Sequence, residues 1–172
     1  MEYILRTEAL TKQYDKRNAI SNVDIAVRLG AVYGLVGQNG AGKTTILKII
    51  GRNEEPGIYP DMSARQNLKL KCLAMGIKSK DHIDELLDFV GLANVGKKSA
   101  KKYSLGMKQR LGIALALVGY PELVILDEPI NGLDPQGIVE FRKMIARLNS
   151  ERKITFIISS HILGELSKIA TD

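Results

Sequence analysis

The feature that most constrains this chain is the run Gly37-Gln38-Asn39-Gly40-Ala41-Gly42-Lys43-Thr44-Thr45. It fits the pattern G-x-x-x-x-G-K-[ST]. It lies between an apolar run, VYGLV over residues 32–36, and a helical pattern over Lys43–Ile50. Strand, glycine-rich loop and helix in that order form the context in which this pattern binds phosphate. Glycines let the backbone curl until successive N–H groups point inward at an anion. The helix that follows adds its positive N-terminal end. Gly37, Asn39, Gly40, Ala41, Gly42 and Thr45 are therefore predicted to line a nucleotide's phosphates. Lys43 would reach the β- and γ-phosphates, and the Thr44 hydroxyl would ligate Mg²⁺.

A second apolar run, ELVILD over residues 122–127, closes on Asp127 with Glu128 next to it, so two carboxylates stand at its end. A strand end beside a phosphate loop is where a Mg²⁺-holding Asp belongs, which suits Asp127. Glu128 follows directly, so the alternation of a strand sends its side chain to the other side. There it would polarise a water for attack on the γ-phosphate. Taken alone, the pair reads equally well as solvated acids capping a strand.

The rest of the chain alternates strands with helices. Residues 2–10 and 23–27 read as short strands flanking a turn-rich stretch, Tyr14–Asn22. Residues 63–75 and 81–90 have helical spacing, with Ser63 and Asp81 as N-caps. Ser104 caps a helix over Leu105–Val118, and Asp134-Pro135 opens another with a cap followed by proline at the first helical position. ITFIIS over residues 154–159 is a third apolar strand, and residues 161–170 are a final helix. Such alternation predicts an α/β fold with a largely parallel sheet.

Composition narrows the class. A chain of 172 residues suggests one domain, and 45% hydrophobic content suits a globular core. No run of about 18 apolar residues predicts a transmembrane helix. The opening MEYILRTEAL lacks the basic-then-apolar pattern of a secretory signal. Cys72 is the single cysteine, which excludes a disulfide scaffold and suits a reducing compartment. The net charge is +6, and all of the excess falls in residues 1–102. The basic run Lys97, Lys98, Lys101 and Lys102 has no interleaved aromatic residues and reads as a solvated face. With no Trp in the chain, base-stacking platforms are not suggested and no nucleic-acid partner is expected.

Three further segments complete a familiar pattern. Tyr103-Ser104-Leu105-Gly106-Met107-Lys108-Gln109-Arg110, Asn131-Gly132-Leu133-Asp134 and Ser159-Ser160-His161 resemble, in order and spacing, the signature motif, D-loop and switch-histidine segment of the ATP-binding subunits of ABC transporters. The wording of EEPGIYP (54–60), SLGMKQRLGIALAL and NGLDPQGI is similar to the bacitracin and lantibiotic resistance branch, whose members move antimicrobial peptides. The resemblance implies a P-loop NTPase core with a mostly parallel sheet flanked by helices, and a small helical subdomain over about 60–103, within a single ATP-binding domain over 1–172. It implies ATP and Mg²⁺ as cofactors. Its other implied partners are a second copy of the chain and a membrane-spanning transporter subunit, at the cytoplasmic face of the membrane. By the same resemblance Tyr14 stacks on adenine, and His161 joins Glu128 and Lys43 as a catalytic residue holding the γ-phosphate. Ser104 and Gly106 bind the γ-phosphate of the other subunit, Asp134 communicates across the dimer, and Glu54 is the counterpart of a metal-contacting Gln.

The chain departs from that pattern in two places. It stops soon after His161, where family members continue. Glu54 also comes only 11 residues after Lys43. A helix of eight residues carries the chain about 12 Å away from the phosphates, and three extended residues return at most about 10 Å. The spacing therefore predicts that a segment is lacking between about Lys48 and Glu54 and that the antiparallel β part is incomplete. The expected activity is ATP hydrolysis powering export of, or immunity to, antimicrobial peptides. Two alternatives stay open: a soluble ABC-type ATPase of DNA repair or translation, and a truncated nucleotide binder without turnover.

Overall fold

The computed structural model describes residues 2–15, 17–51 and 57–171. The chain divides into two compact units. One comprises Met1–Asn53, Glu122–Asn131 and Ile145–Asp172, and the other Glu54–Pro121 and Gly132–Met144.

The first unit opens with two long antiparallel strands, β1 (Tyr3–Tyr14) and β2 (Arg17–Arg28), paired from Tyr3↔Arg28 to Tyr14↔Arg17. The sequence had predicted shorter strands and a turn-rich Tyr14–Asn22. Burial explains the difference. Ile20, inside that stretch, is buried in a cluster with Ile25, Val27 and, from the helix after the loop, Ile46 and Leu47. Tertiary packing outweighs the local turn composition. The turn residues are absorbed as irregularities in the pairing, with Ala9 and Asn22 in left-handed backbone at φ 51° and 54°. The Asp24 carboxylate accepts from Ala9 N–H and the Thr11 hydroxyl from Asn22 N–H.

Three parallel strands follow in this unit: β3 (Val32–Val36), β4 (Leu123–Leu126) and β5 (Thr155–Ser160), in the spatial order β3-β5-β4. All six residues of the central strand β5 are buried. Because the three run the same way, their carboxyl ends deliver Gly37, Asp127 and His161 to one edge of the sheet, where ligands of open α/β folds bind. Helix α1 (Lys43–Ile50) leaves the loop after β3. The final helix is shorter than the predicted 161–170, because regular helix covers only Leu163–Leu166. Leu166 is buried against β3, where a Cβ on Gly34 would lie 3.0 Å from its Cδ2. After it the chain ties back to the sheet, with Thr171 N–H donating to Val32 O.

The second unit is helical. Helix α2 (Ala64–Ala74) starts at a reciprocal cap in which Ser63 and Gln66 satisfy each other's backbone N–H. Helix α3 (Lys80–Phe89) is capped by Ser79, whose hydroxyl accepts from His82 N–H, and not by the predicted Asp81. Asp81 lies one residue inside the first turn, where a carboxylate favours the helix dipole without capping it. Helix α4 (Leu105–Ala116) begins at Ser104 as predicted and ends two residues before Val118. Helix α5 (Pro135–Arg152) begins in this unit, and its Ile145–Arg152 portion belongs to the first. Among the described residues, no helix is long and apolar enough to cross a membrane.

Candidate nucleotide site

The loop between β3 and α1 carries Gly40 and Gly42 at φ 84° and 86°, in left-handed backbone. Gly42 caps α1 and passes so close to β2 that a Cβ there would stand 2.6 Å from Ala19 O. The resulting cleft, about 240 Å³, is lined by Ala19, Asn39, Gly40, Gly42, Lys43, Thr44, Thr45 and Glu128.

Lys43 is 7% exposed, and its ammonium donates to Gly37 O at 2.6 Å and Gln38 O at 3.2 Å. It also lies 3.3 Å from Glu128 Oε1, an ion pair without the alignment of a hydrogen bond. A buried ammonium needs such partners to offset its lost hydration. The other Glu128 oxygen, Oε2, is 2.8 Å from His161 Nδ1. An ionised carboxylate only accepts, so Nδ1 carries the proton in this contact. The neutral ring then presents Nε2 as an acceptor, and only the imidazolium can donate from both nitrogens.

The Thr44 hydroxyl donates to Asp127 Oδ2 at 2.7 Å. Strand alternation does not separate the two acids, contrary to the sequence expectation. β4 ends at Leu126, Glu128 takes left-handed backbone at φ 47°, and both carboxylates reach the first turn of α1. That backbone costs a non-glycine residue about 1–2 kcal/mol. Ser159, to which the sequence reading assigned no role of its own, has its hydroxyl on both acids: it donates to Asp127 Oδ1 and accepts from Glu128 N–H. Only the spacing of β5 against β4 could have revealed it.

Thr44 and Asp127 offer hard oxygen donors side by side, which fits Mg²⁺. No group of three or more His, Cys, Asp or Glu side chains suited to a metal occurs among the described residues. Tyr14 is 52% exposed at the end of β1, where Lys12 Nζ sits 5.3 Å from its ring centre, and it does not line the cleft. Glu54 lies outside the described residues.

Ser104, Gly106 and Asp134 belong to the second unit and line a cavity of about 650 Å³ within it. The Ser104 hydroxyl accepts from Met107 N–H at 3.3 Å, and Asp134 Oδ1 from Gly137 N–H at 2.9 Å, so each caps a helix. The two segments interlock. A Cβ on Gly132 would meet Leu105 Cδ2 at 2.8 Å, and one on Gly106 would meet Leu133 Cδ2 at 3.3 Å. Arg110 joins them further along, paired with Glu140 and donating to Val90 O. The Gln136 amide and the Arg110 charge hold the Glu140 carboxyl below its ordinary range.

The sequence profile described as ABC transporter matches residues 20–59 and 53–131. The chain belongs to the ABC transporter family. Within that family it is 43% identical over 194 residues to the lantibiotic transport ATP-binding protein SrtF of Streptococcus pyogenes, covering 97% of this chain and 84% of that one. It is 44% identical to the bacitracin transport ATP-binding protein BcrA of Bacillus licheniformis, covering 98% of this chain and 65% of BcrA. The chain thus spans just under two thirds of the length of BcrA and more of the shorter SrtF. Its fold matches cbiO1 of Clostridium perfringens, part of the ABC transporter complex cbiONQ, with a TM-score of 0.86 at 26% identity, covering 99% of this chain and 83% of cbiO1. The P-loop α/β fold expected of an ABC ATPase is therefore the observed one. The BcrA alignment runs over 199 residues against the 172 of this chain, so at least 27 aligned positions have no counterpart here. The profile match also breaks into two stretches that meet within residues 53–59, beside the spacing shortfall read from the sequence.

Proposed function

We propose that this chain is an ATP-binding subunit of an ABC transporter for antimicrobial peptides, binding MgATP at the carboxyl end of its parallel sheet. The observation that carries this reading is the 2.7 Å contact of Thr44 with Asp127, beside the Lys43–Glu128–His161 cluster at the mouth of the loop. Lys43 would exchange the Gly37 and Gln38 carbonyls for β- and γ-phosphate oxygens. Mg²⁺, held by Thr44 and Asp127, would supply charge neutralisation on those phosphates. Glu128 would orient a water and take its proton as its oxygen attacks the γ-phosphorus and the bond to the β-phosphate breaks. His161, whose Nδ1 is held by Glu128, would hold the γ-phosphate. Tyr14 would stack on adenine.

Ser104 and Gly106, at the start of α4, would meet the γ-phosphate bound by a second copy, with Asp134 linking the two sites. The surface from Ile58–Tyr59 to Val90 would face the membrane-spanning subunit, at the cytoplasmic face of the membrane. Co-purification with the permease tests that assignment. ATP turnover by the wild-type chain, lost in Glu128→Gln, tests the chemistry.

One observation favours a second reading. The at least 27 positions lacking relative to BcrA, with the profile break beside Glu54, suit a chain that binds nucleotide without turning it over. In that case ATP binds, no phosphate is released, and Glu128→Gln changes nothing in a turnover assay.

A further inference from the structure

Ser159 lies in the central strand with 0% exposure. The β4–β5 ladder ends at Leu126↔Ile158, one pair before Asp127 and Ser159. Beyond that point the Ser159 hydroxyl takes over from the ladder. It donates to Asp127 Oδ1 at 2.5 Å and accepts from Glu128 N–H at 2.8 Å. Both directions are forced, because an ionised carboxylate only accepts and a backbone N–H only donates.

Two consequences follow for the acids. The Asp127 carboxylate is held at both oxygens, Oδ1 by Ser159 and Oδ2 by Thr44, so its remaining lone pairs have a fixed direction. Glu128, in left-handed backbone at φ 47°, has its N–H tied to the sheet at the residue where the chain turns. Its carboxylate can therefore meet Lys43 and His161 together.

We infer that Ser159 is the positioning residue of this site, with one hydroxyl setting both the metal-holding carboxylate of Asp127 and the water-orienting carboxylate of Glu128. The inference rests on the nucleotide-binding reading above. A serine that merely fills space in a buried strand would support the fold and leave metal affinity alone.

The test uses Mn²⁺ as a spectroscopic probe and needs no turnover. Electron paramagnetic resonance titrations measure Mn²⁺ binding to the chain with ATP, for wild type, Ser159→Ala and Ser159→Thr. ATP affinity is measured separately in EDTA, and thermal melts report folding. Ser159→Ala should weaken Mn²⁺ by about tenfold or more, the usual effect of removing a hydrogen bond that orients a metal-holding group. Metal-free ATP affinity should change by less than about twofold, since Lys43 and the loop glycines keep their places. Ser159→Thr should restore Mn²⁺ binding. If its added methyl unfolds the strand, Ser159→Cys, with a weaker S–H donor, should fall between serine and alanine. A folded Ser159→Ala variant that holds Mn²⁺ as tightly as wild type overturns the inference. So does one that loses metal-free ATP affinity to the same extent as Mn²⁺. Wild-type chain that shows no ATP-dependent Mn²⁺ binding overturns the nucleotide-binding reading itself, and this assignment with it.

Discussion

Thr44 at the start of α1 and Asp127 just past the end of β4 are 83 residues apart in sequence, and their side-chain oxygens meet at 2.7 Å. Neither element is held by this contact alone, since β4 pairs with β5 and α1 packs through Ile46 and Leu47 on the cluster of Ile20, Ile25 and Val27. The contact brings two hard oxygens together at the mouth of the glycine-rich loop. Removing the Thr44 hydroxyl while keeping its shape, with Thr44→Val, should leave metal-free ATP binding nearly intact. It should also cost most of the gain in affinity that Mg²⁺ brings, about 1.5–3 kcal/mol for a hydrogen bond to a charged group. Fluorescence titrations with and without Mg²⁺ measure this, and equal gains in both proteins would argue against the pairing.

Gly42 tests the backbone side of the loop. Alanine there meets a left-handed φ of 86° and the Ala19 carbonyl at 2.6 Å. Gly42→Ala should destabilise the chain by about 1–3 kcal/mol and abolish ATP binding. Gly40→Ala has open space and carries only the backbone cost, so it should destabilise less. Urea unfolding of the two variants gives the comparison.

The His161–Glu128 contact fixes a tautomer. In the ligand-free chain near neutral pH, nitrogen-15 spectra of the His161 ring should show the proton on Nδ1. In Glu128→Ala that preference should disappear. A ring protonated only on Nε2 in the wild type would contradict the arrangement.

Acid sensitivity should be visible in the second unit. The Glu140 carboxyl is depressed by the Gln136 amide and the Arg110 charge. It therefore contributes stability that is present above the ordinary carboxylate range and lost as pH falls through its folded value. The pair is exposed, so the effect is small. Melting curves should show Glu140→Gln less stable than wild type at neutral pH, with the gap closing below about pH 4. A gap that widens on acidification would contradict the sign.

The sequence made this edge of the sheet legible because its determinants are local. The loop glycines, the caps at Ser63 and Ser104, and the apolar strands at 32–36, 122–127 and 154–159 each carry their signal within a few residues. What it obscured depends on partners distant in sequence. Ile20 reads as part of a turn until α1 packs on it, and the proper side for Glu128 depends on a left-handed residue that no alternation rule foresees. Ser159 acquires its partners only when β5 lies beside β4. That Ser79 and not Asp81 caps α3 depends on which residue has extended backbone before the helix.

The most direct test of the central claim is calorimetric titration of the 172-residue chain with ATP and Mg²⁺, beside Lys43→Ala. The account predicts saturable binding of one ATP per chain, tightened by Mg²⁺ and lost in the variant. Absence of binding, or equal binding by Lys43→Ala, would contradict it.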